Sequence, residues 1–228
     1  KVVAAILPLY MDGLYLSRYS DNKEAPTLSD YFETPEEAVR HYGYLKQVYQ
    51  SISAKEVYSS YVFPWDCVVL TRSDVVLKMA YIAWMTNDIR LREELCTYLP
   101  ALESYNRASY IGIVLARTES KVEQEYVLQS LGDRSADIRD EAYKVLSEMS
   151  LSPEQYQHIE ELLRFKYSEM RINAINLLMK QPEAQLAASI RRLLSDKNAE
   201  RRLAGLDMMK SIRNVDFLKD SYQKLLST

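Results

Sequence analysis

Glycine is scarce: five residues in a chain of 228. That scarcity argues against a fold rich in tight β-turns. Histidine is rarer still. His41 and His158 stand far apart and have no donor at ligand spacing, so zinc chemistry has no visible site. Two cysteines, Cys67 and Cys96, are too few for a disulfide framework. Both read as buried reduced thiols, which fits a reducing, cytoplasmic setting. No run of 18 apolar residues occurs, so no segment is suited to span a bilayer. The opening Val2-Val3-Ala4-Ala5-Ile6-Leu7 run is broken by Pro8 and has no convincing cleavage site, a poor signal peptide. Phosphate-binding loops and the GxSxG and HExxH motifs are missing. The sequence therefore offers no catalytic, metal or cofactor-binding residues and reads as non-enzymatic, with no cofactor.

What is present is a period. Arg107, Arg139, Arg171 and Arg202 recur at intervals of 32, 32 and 31 residues. Twelve positions before each stand Leu95, Val127, Ile159 and Ile190, followed by Tyr98/Leu99, Ser130/Leu131, Leu162/Leu163 and Leu193/Leu194. This i, i+3, i+4 spacing predicts a first helix with an apolar stripe. Three residues after each arginine come Tyr110, Ala142, Ala174 and Gly205, then Ile113/Val114, Val145/Leu146, Leu177/Leu178 and Met208/Met209. These predict a second helix, mostly with small residues where two helices approach closely. Asp133 and Asp196 stand in the turn six before an arginine; Ala101 and Phe165 are their equivalents. Asp137, Glu169 and Glu200 stand two before an arginine, in the first turn of the second helix, where the macrodipole favours carboxylates. A short repeating unit of this kind grows by stacking.

The layout resembles the HEAT repeat, an antiparallel helix pair with an Asp in the turn and an Arg six residues on. The resemblance covers about residues 90–213. It implies an all-α, right-handed α-α superhelix of HEAT-like (armadillo-type) repeats. It also implies that Arg107, Asp133, Arg139, Arg171, Asp196 and Arg202 form a ladder between successive repeats, the Asp–Arg pair being complete at Asp133–Arg139 and Asp196–Arg202. The Phe63-Pro64-Trp65-Asp66 stretch, taken with the repeats, resembles the helical region of large uncharacterised bacterial proteins.

The expected organisation is an atypical helical region over 1–62 and an array over 63–228. Its units are about 63–90, 91–118, 119–150, 151–181 and 182–213, with a partial unit at 214–228. The 63–90 unit rests on Pro64, Cys67/Val68, Val76, Met79 and Ile82/Ala83 falling one period before the Arg107 frame, with Thr71 and Asp74 capping its second helix. Thr34-Pro35-Glu36-Glu37 predicts a helix running to about Gln50, and Ser53–Glu56 another start. Asp12-Gly13 is compatible with a hairpin or with two short helices, of which helices are favoured. Ser120/Glu123 predicts a capping box. Ser135, Ser152, Ser168, Asn198 and Asn214 are cap candidates, and Pro182 opens a first helix. Tyr222 and Leu225/Leu226 begin a first helix without its partner. With no Met before Lys1, this predicts a piece of a longer protein.

Net charge is −3. That reads against nucleic acid, which needs a concentration of Lys and Arg. From Lys180 to Arg213 eight basic residues face four acidic ones, an excess small enough for solvated helix faces to explain. Eighteen tyrosines against four phenylalanines suit inter-helix seams and leave room for a partner surface. The functional expectation is therefore a protein–protein interaction or scaffold module with no membrane contact. Its partner would be another protein or further domains of the parent chain, held by Lys144, Asn173, Asn176, Lys180, Asp207 and Lys210, with Arg139 among the second-helix residues on that face. The alternative that the HEAT resemblance raises is a nucleic-acid-binding protein or DNA glycosylase-like enzyme.

Overall fold

In a computed structural model describing residues 27–53, 58–63, 66–213 and 223, helices begin where the sequence supplies a cap. Helix α1 (Pro35–Ser51) starts with a proline in its first turn and with Thr34 Oγ1 accepting from the Glu37 amide at 3.2 Å. The Glu37 carboxylate reaches back to the Glu33 amide at 2.9 Å. Its stripe of Ala38, Tyr42, Leu45 and Val48 is buried.

Strands β1 (Tyr58–Phe63) and β2 (Asp66–Leu70) then pair antiparallel, Tyr58 opposite Leu70 and Ser60 opposite Val68. This corrects the expected first helix of the 63–90 unit. Tyr61-Val62-Phe63 and Cys67-Val68-Val69-Leu70 are β-branched and aromatic runs that suit a pleated strand better than a helix. The alignment with the repeat frame at Cys67/Val68 was a coincidence of spacing.

Helix α2 (Arg72–Thr86) opens with the expected capping box, Thr71 and Asp74 bonding reciprocally. Val75, Val76 and the run Met79–Trp84 are all buried, so little of the helix body meets solvent. It stops at Asn87, whose φ of 49° is left-handed. Helix α1 and the short α3 (Ile89–Leu95) both pack on α2, and α4 (Ser104–Ile113) follows.

The chain divides into two compact units between Tyr126 and Val127, inside α5 (Lys121–Ser130). The second unit holds α6 (Ala136–Glu148), α7 (Pro153–Leu162), α8 (Ser168–Leu178), α9 (Glu183–Leu194) and α10 (Ala199–Arg213). Helix α7 packs on α8 and α9 on α10. Alternate helices also touch: α6 with α8, α8 with α10, and α7 with α9. The frame residues Val127, Ile159 and Ile190 are fully buried in this unit, as Leu95 is in the first. Ala142 and Ala174 are buried as well. At Gly205 a Cβ would lie 3.1 Å from Leu194 side-chain carbons and 3.2 Å from Leu193 Cβ, so α10 approaches α9 closely. Ser152 closes a capping box with Gln155, and Asn198 Oδ1 accepts from the Glu200 amide at 2.9 Å. Ser168 is the first residue of α8 rather than its cap, Tyr167 taking that place without a side-chain bond.

Helix therefore dominates the described residues, with the hairpin as the exception. The opening apolar run, Asp12-Gly13, most of Ser53–Glu56, Asn214, Tyr222 and Leu225/Leu226 lie outside the described residues. Among those described, no helix is long and apolar enough to cross a membrane.

Candidate functional site

The periodic arginines sit near the starts of the second helices, and two contacts recur among them: one to the preceding turn at Arg139 and Arg202, one to the next second helix at Arg139 and Arg171. Arg139 Nη1 donates to the backbone oxygens of Asp133 and Arg134 at 2.9 and 3.1 Å, and its Nη2 reaches Glu169 Oε2 at 3.3 Å. Arg171 Nη1 reaches Glu200 Oε2 at 3.3 Å, and its Nη2 reaches Asp207 Oδ2 at 2.6 Å. Arg202 Nη1 repeats the turn contacts of Arg139, 2.8 Å to the oxygens of both Asp196 and Lys197. Glu169 and Glu200 are equivalent, each two before an arginine. The carboxylate two positions into a second helix thus receives the guanidinium of the preceding one, α6 to α8 and α8 to α10.

The turn aspartates fold back on their own turns. Asp133 Oδ1 accepts from the Ser135 amide at 2.9 Å and Asp196 Oδ1 from the Asn198 amide at 2.7 Å. Asp196 Oδ2 also meets Arg201 at 2.8 Å. Arg107 is half-buried on α4, its amide bonded to the Glu103 oxygen at 2.9 Å. The Arg139 Nε is buried and unbonded. Arg139 borders a small cavity that Leu131, Leu162, Met170, Asn173 and Ala174 also line.

The residues expected to face a partner divide in two. Asn176 and Lys210 are exposed, as is Lys144, which bonds Glu141 at 2.6 Å. Lys180 is exposed with its Nζ on the Ser147 oxygen at 2.5 Å. Asn173 is half-buried against the Arg139 cavity, and Asp207 is engaged by Arg171.

Sequence reasoning missed two buried carboxylates, each held by an arginine about one repeat away. In the first unit Glu123 is 0% exposed and takes Arg92 as a fork, Nε to Oε1 at 2.9 Å and Nη2 to Oε2 at 2.8 Å. Thr118 Oγ1 donates to the same carboxylate, and Ser120 Oγ donates to Glu93 Oε1 at 2.6 Å. Half of the expected capping box forms, Ser120 Oγ accepting from the Glu123 amide at 3.4 Å; the Glu123 carboxylate does not reach back, and the Ser120 amide bonds Thr118 Oγ1 instead, at 3.0 Å. Arg92 Nη1 also bonds Asn87 Oδ1 at 2.9 Å. One guanidinium thus ties the end of α2 and the start of α5 to α3. In the second unit Glu160, 2% exposed, receives Arg192 through Nη2 at 2.6 Å and Nε at 3.2 Å. A chain of hydrogen bonds continues from Arg192 Nη2 to Ser189 Oγ at 3.0 Å, and from Ser189 to Gln181 Oε1 at 3.0 Å. The spacings, 31 and 32 residues, match the repeat and were the available signal.

Around Arg92 the interior is apolar enough to hold weak acids protonated. Burial, then the nearby Glu123 and Glu93 carboxylates, push the Cys96 thiol up to about 12. Burial foremost, then Glu123, raises the Tyr110 phenol well above its ordinary range, and burial with Glu94 does the same for Tyr42. Tyr110 fills the position that Ala142, Ala174 and Gly205 hold elsewhere, and its hydroxyl is buried without a partner. No group of three metal-ligating side chains gathers among the described residues.

Along residues 1–228 the chain belongs to a family of unknown function, DUF5724. A search of curated proteins gives no match.

Proposed function

We propose that the chain is a non-catalytic protein-interaction module, built as a HEAT-like right-handed superhelix and holding its partner on the face of the second helices. The observation that carries this reading is the register of Arg139 on Glu169 and Arg171 on Glu200. Equivalent contacts a repeat apart fix one helix pair against the next, which is how a solenoid acquires an extended surface. Lys144, Asn176 and Lys210 project from that row of helices where a partner's side chains can reach them, Lys144 from its surface pair with Glu141. Arg139, by contrast, is 14% exposed and spends its donors on the turn and the next helix. Its role in this proposal is to hold the ladder.

The experiment separates the two roles. Partner capture from cells expressing the parent protein is compared between the wild type, Arg139→Ala and the double variant Lys144→Glu/Lys210→Glu. Arg139→Ala should lower stability by about 1–3 kcal/mol through the acceptors and the cavity it abandons, while partner capture below its melting range is kept. The double charge reversal should leave the thermal midpoint in place and lose the partner. A stable Arg139→Ala that no longer captures the partner would reverse the assignment.

A further inference from the structure

The turns that open α6, α8 and α10 share one edge of the second unit. Arg139 at the start of α6 reaches Glu169 at the start of α8, and Arg171 reaches Glu200 at the start of α10. Two of these turns are built alike, with Asp133 and Asp196 folding back onto an amide two residues on. The middle turn departs from them. It reads Arg164-Phe165-Lys166-Tyr167, has no carboxylate, and is exposed at all four residues. Phe165 is 39% and Tyr167 65% exposed, and the Arg164 guanidinium lies 4.9 Å from the centre of the Phe165 ring.

Most carboxylates of this edge are engaged, the exposed Asp137 in the first turn of α6 being the exception. Glu161 and Asp196 meet Arg201, Glu169 meets Arg139 and Glu200 meets Arg171, while Asp133 holds the Ser135 amide. Arg134, Arg164, Lys166 and Lys197 are exposed. None of the four has a carboxylate partner among the described residues. A chain of net charge −3 therefore presents here four unpaired cations against one open carboxylate, around two exposed aromatic rings, one of them already faced by Arg164.

We infer that this edge binds single-stranded nucleic acid. Bases stack on Phe165 and Tyr167, and the phosphates between them lie against Arg134, Arg164, Lys166 and Lys197. Such binding is tolerant of sequence, because every base has a π-face. An acidic peptide would use the cations and leave the rings idle, and a duplex keeps its bases stacked on each other. The surface is separate from the second-helix residues proposed for a protein partner.

The test is fluorescence anisotropy of the intact 228-residue chain with labelled 15-nucleotide oligo-dT and oligo-U at low salt. The expected result is micromolar binding that weakens with salt, with a log–log slope of about −3 for four phosphates. Phe165→Ala/Tyr167→Ala should weaken it about tenfold or more, Tyr167→Phe should keep it, and Lys166→Glu/Lys197→Glu should abolish it. Thermal midpoints should be unchanged, since these side chains are exposed. The inference is overturned by absence of salt-sensitive binding in the wild type, by an aromatic double variant that binds as the wild type does, or by equal binding of a duplex or of poly-glutamate.

Discussion

Glu123→Ala is the substitution with the largest expected cost. The carboxylate is fully buried and its partner Arg92 is 13% exposed, so deletion strands a cation in the interior. Removing one member of a buried pair costs about 3–5 kcal/mol, because the remaining charge keeps its desolvation penalty. Thr118 Oγ1 loses its acceptor at the same time, which places the effect toward the upper end. Replacing both charges, as in Arg92→Met/Glu123→Leu, removes the stranded charge as well as the pair. Its loss should therefore be clearly smaller than the sum of the two single losses. Urea unfolding followed by tryptophan fluorescence is the assay, since Trp65 and Trp84 both precede the unit boundary. A Glu123→Ala loss below about 1 kcal/mol, or a double variant as damaged as the sum of the singles, would refute the argument.

Gly205→Val should destabilise by about 1–3 kcal/mol, read as a lower thermal midpoint, because the new side chain must displace Leu193 and Leu194. Cys96, 8% exposed with its thiol pushed up to about 12, should resist iodoacetamide at pH 8 in the native protein and react fully in denaturant. Fast native labelling would count against its burial. Tyr42 and Tyr110 should make stability fall in alkali. Their folded values lie above the ordinary 10.0, so above about pH 10 the unfolded chain has lost protons that the folded chain keeps. The slope reaches about 1.4 kcal/mol per pH unit for each tyrosine. Urea midpoints between pH 9 and 11 would measure it, and Tyr110→Phe should flatten it.

How much could be read beforehand depended on how local the determinant was. Helical periodicity marked Leu95, Val127, Ile159 and Ile190 as core, and the Thr34, Thr71, Ser152 and Asn198 caps set helix starts, because both signals lie within a turn or two of chain. The hairpin escapes a repeat template, because the run's own composition favours strand whatever its spacing. Glu123 and Glu160 are harder to read for the opposite reason. Glu123 looks like a cap residue and Glu160 like a surface acid on its own helix, and only a partner about one repeat away shows either to be interior. Glu169 and Glu200 were credited to the helix dipole, although their carboxylates also receive the arginine of the preceding second helix. The candidate surface on the turn edge was half legible: Phe165 stood out as a departure from aspartate, but the engagement of neighbouring acids needed coordinates.

The left-handed residue that ends α2 has a consequence for engineering. At such a position glycine is ordinarily the better choice, relieving backbone strain at no cost elsewhere. Here the amide oxygen of Asn87 is one of the anchors of Arg92, so Asn87→Gly relaxes a torsion and loosens the clasp on Glu123 in the same stroke. A routine stabilising swap should yield little at this site, since the strained residue also works as a latch.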